Sequence, residues 1–587
     1  MSHGSKTVAD ILVDQMVEAG IKNVYGVVGD SANPIVDAIR RHPSDITFVH
    51  VRNEEAGAFA AGGDALLTGR PTAVLGSAGP GSVHLLNGLY DCHHNGVPVF
   101  AIATHIPSKE IGTQYHQETY PESIFDGCAH FVGTINHAYQ MPRLSKLAIE
   151  AAILERGVGI VILPGDIAAS KVENPAEKHV ISASRPIVVP TDELLDEARD
   201  LIAGAKKIVI FGGEGTRGAR DEVLQLSEKL KAPVGYSYRG KDVLEADNPN
   251  AIGMTGLLGW GALTHEFEHC DLMIMLGTDF PYRDFLPHHA KIIQVDDVPI
   301  NVGRRADVDL GLVGDVGATL KALLPKLEAK ADGHFLEKAQ KSHVKHKNQL
   351  QEYTKHQGGG DALRPEMVAT TISEMADDNA VFTCDTGMGM VWGARYVEMK
   401  PGRRILASFN HGSMANAMPQ AIGAKNAEPN RQVIAFCGDG GLTMLMGELI
   451  TAGWLNIPVK LMVFNNSTLG LVRCEMLTSG YEPYGTDVEN PDFGKVAAAI
   501  GLHGERVEKE EDIGPAVQRA FEHPGPALID FVTDPLALSV PPEITMDEVK
   551  GFALTSGKLV LGGETEEVWD LAKVNIRDLG QALSAEK

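Results

Sequence analysis

The chain has 587 residues, which suits about three or four domains, and with 44% hydrophobic and 22% charged residues it can bury an ordinary core in each. A formal net charge of −25 argues against a general nucleic-acid surface, which needs clustered Lys and Arg, yet leaves room for a local anion site. The opening MSHGSKTVADILVDQ has no apolar signal core, no run reaches transmembrane length, and six scattered cysteines without a CxxC pair read as reduced thiols of a cytosolic protein.

Residues 1–170 alternate helix and strand, with KNVYGVV, ITFVHV, TAVLGS, VPVFAIA and GIVILP as short buried strands. KVENPAEKHVISASRPIVVPT lacks periodicity, holds three prolines and reads as a linker. A second α/β unit begins near Asp192 and runs to about Leu327, with strands KIVIFG, LMIMLG and AKIIQVD. Its first turn carries Gly213, Gly215 and Gly218 as G-x-G-x-x-G between strand and helix, the context of a dinucleotide phosphate turn. The next strand, APVGYSY, ends in Arg239 and Gly240 with no acid to hold a ribose, so NAD chemistry is not supported and a tight packing turn explains the glycines as well. A charged helical connector follows, and its His343 and His346 read as part of a solvated basic face rather than as metal ligands.

The third unit runs from about Leu363 to Asp534. CGDGG (437–441) follows the apolar run VIAF, and FNNST (464–468) ends VKLMVF, with LTMLMGELITAGWLN repeating at helical spacing between them. Both polar clusters therefore lie at carboxyl ends of parallel strands, where ligands collect. Glycines and a helix N-terminus suit a phosphate, whereas Asp439 would repel one unless a cation lies between. Mg²⁺ meets that need, since it takes one or two protein oxygens together with phosphate oxygens.

GDG followed by NN, with 466 − 439 = 27 positions from Asp439 to Asn466, resembles the diphosphate–magnesium signature of thiamine-diphosphate enzymes. VRNEEAGAFAAGGDALLTGR, SAGPGSVHLLNGLYDCHHNGVPVFAIATHIPSKEIG, NPNAIGMTGLLG, LGTDFPYR and SFNHGSMANAMPQAIGA resemble the flavin-containing pyruvate:quinone oxidoreductases, or pyruvate oxidases. The resemblance implies three doubly wound parallel-sheet α/β domains: pyrimidine-binding (1–185), FAD-binding (186–340) and, after a linker (341–362), diphosphate- and Mg²⁺-binding (363–545), followed by a tail (546–587).

It also implies roles for particular residues. Asp439, Asn466 and the carbonyl of Thr468 would hold Mg²⁺, with Gly440, Gly441, Ser467, Leu469, Gly470, Leu471 and Val472 around the diphosphate. Met414 would prop thiamine in its bent shape beside Ser413, and the Gly412 carbonyl would take the 4′-amino group. Glu54 aligns with the glutamate that shares a proton with the pyrimidine N1′ and so favours the imino form that deprotonates C2, leaving Glu55 a structural or solvated role. Flavin contacts fall at Thr255, Gly256, Leu257 and Leu258; at Thr278, Asp279, Phe280, Pro281 and Tyr282; and at Asp296, Asp297, Val298, Pro299, Ile300 and Asn301. Glu475 matches an acid close to the substrate, with a positioning or proton-transfer role. His116 and Leu471 stand where related enzymes carry aromatic residues; His116 is either a proton donor or orienting group, or a substitution without a chemical role.

The implied activity is oxidative decarboxylation of pyruvate to acetate and CO₂, with electrons passed through FAD to a quinone, in a homo-oligomer expected to be a tetramer. Phosphate with oxygen as acceptors, a carboligase of the acetolactate synthase type with non-redox FAD, and an inactive cofactor-binding regulator are the rivals. The tail from Glu564 has an apolar helical stripe (Val568, Trp569, Ala572, Ile576, Leu579, Leu583) but a charge of 3 − 6 = −3, which anionic lipid repels. The expected location is therefore the cytoplasm, with no more than weak peripheral contact at the inner face of the membrane.

Overall fold

A computed structural model describes residues 6–172, 180–355 and 362–537, so the tail and the PPEITMDEVKGF stretch lie outside the described residues. Three α/β units follow one another, each built on its own sheet. The first sheet runs Thr47–His50, Asn23–Gly26, Thr72–Gly76, Val99–His105, Val158–Pro164, Phe131–Thr134, parallel throughout. The second runs Trp260–Gly261, Ala251–Met254, Val234–Tyr236, Ile208–Gly212, Leu272–Leu276, Lys291–Asp296, Leu310–Val313, with only the two-residue edge strand antiparallel. The third runs Arg404–Ala407, Val381–Cys384, Val433–Gly438, Lys460–Asn465, Ala527–Val532, His503–Val507, again parallel. Central strands such as KLMVFN are buried at every position, which is why they read as apolar runs without alternation.

The first and third units meet along two helices, Glu54–Thr68 and Ala417–Ala427, both buried over nearly their whole length. Their sequences, EEAGAFAAGGDALLT and AMPQAIGAKNA, are rich in Gly and Ala because the backbones nearly touch. A Cβ on Gly423 would lie 1.9 Å from the Ala60 carbonyl oxygen, and one on Gly63 2.4 Å from that of Gln420. Asn53 caps the first helix by accepting the Glu55 N–H, and Gly69 ends it in the left-handed conformation.

Two elements differ from the sequence reading. The stretch after CGDGG is two helices, Asp439–Met444 and Glu448–Trp454, parted by a turn at Leu445–Gly447. The break lets Glu448 reach the first unit, where its Oε1 accepts the N–H groups of Arg52 and Asn53, both at 2.9 Å. The connector helix His334–Glu352 does form, yet His343 and His346 are not on a solvated face. His343 packs on Trp260, ring centroids 5.1 Å apart, and burial lowers its pKa to about 4.

Candidate active site

In the third sheet the strand order reverses between Val381–Cys384 and Val433–Gly438, so a crevice opens where Asp385 and Asp439 follow these strands. Asp439 begins its short helix and is 3% exposed. Its Oδ1 accepts the Gly440 N–H at 2.8 Å, and its Oδ2 accepts the Ser467 N–H and the Asn490 amide, both at 2.7 Å. Burial pushes its pKa up against these three donors. The Ser467 bond, made possible by a left-handed backbone at φ 54°, draws the NNST turn onto the GDGG turn.

The paired asparagines divide their work. Asn465 is structural, donating to Asp530 Oδ1 at 2.9 Å. Asn466 makes an Asx turn, its side-chain oxygen accepting the Thr468 N–H at 3.2 Å, while the Thr468 carbonyl accepts the Gly470 N–H at 2.9 Å. Each of these oxygens retains acceptor capacity, and one carboxylate with two neutral oxygens is a hard donor set of the kind Mg²⁺ takes. A divalent cation would also offset the cost of burying the Asp439 carboxylate, so the residues fit a metal-held diphosphate. Among the described residues no group of three His, Cys, Asp or Glu side chains is placed to hold a metal.

The loop SFNHGSMAN folds against this turn. A Cβ on Gly440 would lie 3.3 Å from Met414 Cε and 2.8 Å from Leu469 Cδ2, so Gly440, Met414 and Leu469 share one wall. Gly441 packs on Asp385 and the Ala415 N–H, and Gly470 on Asn466 and Met388. Gly412 and Ala415 take left-handed backbones (φ 71° and 64°) that present Ser413 and Met414 between them. Leu471, Val472 and Glu475 lie on the helix Gly470–Thr478, where Val472 and Glu475 are exposed.

Glu54, 6% exposed, opens the first unit's long helix. Its Oε2 lies 3.1 Å from His84 Nδ1, and its Oε1 would be 2.7 Å from a Cβ on Gly81. Glu55 accepts the Asn87 amide at 2.7 Å, and Asn87 also donates to Ser413 Oγ at 3.1 Å, so the second acid supports the Met414 loop. His116 is exposed on a loop whose Gln117 packs on Gly79, in the glycine turn that faces Glu54. Thus His116 lies at the Glu54 end, while Leu471 and Glu475 belong to the Asp439 end.

In the central unit Gly213 and Gly215 are explained by packing. Their N–H groups go to the carbonyls of Leu276 and Gly277, and a Cβ on either would collide with Gly277 or Thr278. The residues expected to hold flavin gather elsewhere along the same sheet edge. Gly256 (φ 90°) packs on Phe280 and Tyr282, Thr255 pairs with Thr264 at 3.0 Å, and Leu257 is exposed beside the half-buried Leu258. Asp279 pairs with Arg304 and Arg305, and Asp297 with Arg156 at 2.8 Å, which uses both acids in ion pairs. Asp296 accepts the Val298 N–H (2.9 Å) and the Asn301 amide (3.1 Å), both on Oδ1. Its Oδ2 thus suits a ribose hydroxyl, while Ile300, after Pro299, is exposed. Thr278 is buried, and Tyr282, beyond Pro281, has its pKa raised by burial and then by the charge of Glu475. The helix leaving the NNST turn therefore lies near enough to the loop TDFPYR for the Glu475 charge to be felt there.

Residues 6–126, 195–323 and 385–531 match the models for the N-terminal thiamine pyrophosphate binding domain, the central domain and the C-terminal thiamine pyrophosphate binding domain of thiamine pyrophosphate enzymes. The chain is 34% identical over 566 residues to the putative thiamine pyrophosphate-containing protein YdaP of Bacillus subtilis, covering 94% of this chain and 96% of that one. The chain belongs to the thiamine pyrophosphate enzyme family. Among other members it is 30% identical over 562 residues to a probable acetolactate synthase large subunit of Methanococcus aeolicus (91% and 93% covered). It is 28% identical over 536 residues to a pyruvate oxidase of Lactiplantibacillus plantarum (89% and 88% covered). The three α/β units of this thiamine pyrophosphate enzyme are thus the family's three domains. Asp385, Glu448, His84 and Asn490 escaped the sequence reading. Asp385 follows VFTC much as Asp439 follows VIAFCG, and that parallel could have revealed it; the other three look like ordinary polar residues until the fold places them.

Proposed function

We propose that this chain is a pyruvate:quinone oxidoreductase, in which pyruvate, water and a quinone give acetate, CO₂ and the quinol. What supports this reading is the nearness of the Asp439 turn to the loop that would hold flavin: the charge of Glu475, on the helix from the NNST turn, helps raise the pKa of Tyr282 in that loop, after burial. Thiamine diphosphate, when bound, supplies the electron sink for loss of CO₂, and FAD the two-electron relay. Asp439, Asn466 and the Thr468 carbonyl would hold Mg²⁺ for the diphosphate. Met414, packed with Leu469 around Gly440, would support thiamine diphosphate, and the Gly412 carbonyl would take its amino group. Glu54 holds and moves the proton at the pyrimidine N1′, with His84 fixing its other oxygen. Glu475 orients the substrate or transfers a proton to it, and His116 lies on the side of Glu54. Residues 255–258, 278–282 and 296–301 would hold FAD.

Glu54's contacts with His84 and Gly81 stay within the first unit, and Met414's contacts with Gly440 within the third. The assembly that goes with this reading is a homo-oligomer, a tetramer made of two dimers, in which the first unit of one chain completes the third unit of another. Product analysis tests the reaction. With Mg²⁺, thiamine diphosphate, FAD and a soluble quinone analogue, pyruvate should give acetate and quinol in equal amounts. Acetyl phosphate with peroxide, or acetolactate, would replace this reading with one of its rivals.

A further inference from the structure

The segment Ser408–Ala417, which carries Met414, is gripped at both ends by buried carboxylates that the proposed chemistry does not use. Asp385, 2% exposed, accepts the Ala417 N–H on Oδ1 at 2.8 Å and the Gly438 N–H on Oδ2 at 3.2 Å. One side chain therefore ties the end of the segment to the turn before Asp439. Asp91, on the first unit's helix Leu86–Asn95 and fully buried, accepts Ser408 Oγ at 2.6 Å, and Ser408 Oγ in turn accepts the Ser413 N–H at 2.8 Å. A buried amide chain links the two grips. Gln420 donates to Asp91 Oδ2 at 3.3 Å and accepts from Asn416 at 3.0 Å, and Asn416 also donates to the Cys384 carbonyl, next to Asp385, at 3.0 Å.

We propose that Asp385 and Asp91 are positioning residues, a two-ended clamp from two domains that sets where Met414 stands relative to the Asp439 turn. The loop needs such a grip because Gly412 and Ala415 both hold left-handed backbones, and for alanine that conformation persists only when its surroundings impose it. Each Asp385 oxygen accepts a backbone N–H. An amide there sets an NH₂ against an N–H and breaks one end. Hydrogen bonds in such a connected network strengthen one another, so loss of one weakens the rest.

The inference rests on the thiamine reading for its consequence but not for its geometry, and the experiment separates the two. Asp385→Asn, Asp91→Asn and Ser408→Ala, the last leaving both carboxylates in place, are compared with Asp64→Asn. Asp64 is an equally buried carboxylate that holds Asn23 and Tyr25 in the first unit. Amide hydrogen exchange over 408–417 is followed in the full-length protein, and Mg²⁺–thiamine diphosphate is titrated by calorimetry. The clamp predicts exchange about tenfold or more faster in that segment, and cofactor affinity about 10- to 100-fold lower, in the first three variants and not in Asp64→Asn. Unchanged exchange in Ser408→Ala and in either Asn variant, or loss equal to that of the control, overturns the clamp. A wild-type protein that binds no thiamine diphosphate overturns the functional reading instead, and the exchange result still decides the clamp.

Discussion

Gly423→Ala tests the packing that places the Glu54 helix against the third domain. The added Cβ would stand 1.9 Å from the Ala60 oxygen and 2.7 Å from its carbonyl carbon. An ordinary carbon–oxygen contact is about 3.3 Å, so the helices must part by roughly 1.4 Å. No rotamer change relieves a clash with backbone, and the reciprocal approach of Gly63 to Gln420 blocks a slide in the other direction. Overpacking of this kind costs about 1–3 kcal/mol or more. Helix propensity acts the other way, since Ala is favoured over Gly in a helix by about 1 kcal/mol. Gly204→Ala, at the end of helix Asp192–Gly204 with no atom within 4 Å of the new Cβ, isolates that second effect. Denaturant unfolding should show Gly423→Ala destabilised and Gly204→Ala neutral or slightly stabilised. Adding Gly63→Ala should cost less than its own single effect, because both methyls open one gap. A Gly423→Ala protein as stable as Gly204→Ala would refute the contact.

Glu54→Gln should keep its fold and both cofactors yet lose about 10²- to 10⁴-fold in turnover, because an amide cannot exchange the N1′ proton; steady-state kinetics beside cofactor titration checks this. Asp439→Ala should weaken Mg²⁺ and thiamine diphosphate together and leave FAD content unchanged by absorbance. Asp91 gives a pH test: burial raises its pKa to about 7, against bonds from Ser408, Gln420 and Asn95 and the charge of Arg239. Between its unfolded value near 4 and about 7 the folded state holds the extra proton, so this group's stabilisation is complete below about 4, fades as pH rises toward 7 and is gone above it. Wild type measured against Asp91→Asn should lose stability over that window by up to about 1.4 kcal/mol per pH unit and run parallel above it.

The sheets were legible because parallel strands buried on both faces leave unbroken apolar runs such as VIAF and VKLMVF. The GDGG and NNST turns were legible because glycines around a lone acid and an asparagine in an Asx turn, each directly after an apolar strand, form a compact pattern with a fixed spacing. What stayed hidden depends on contacts between residues hundreds of positions apart. Glu448 reads as a helix-surface acid until the break at Gly447 turns it toward Arg52 and Asn53. Asp91 gives no sign that Ser408 and Gln420 surround it. The G-x-G-x-x-G turn shows the converse: the pattern is local, yet Gly213 and Gly215 are there because Gly277 and Thr278 leave no room for a side chain. His343 and His346 misled for a similar reason, since Lys-rich flanks do not reveal that Trp260 covers one of them.

Anaerobic addition of pyruvate to the enzyme loaded with Mg²⁺, thiamine diphosphate and FAD, followed by flavin absorbance, tests the central claim most directly. Decarboxylation coupled to flavin bleaches the oxidised band in a single turnover and restores it when a quinone analogue is added. Flavin that stays oxidised while CO₂ is released would contradict the oxidoreductase and leave a carboligase in its place.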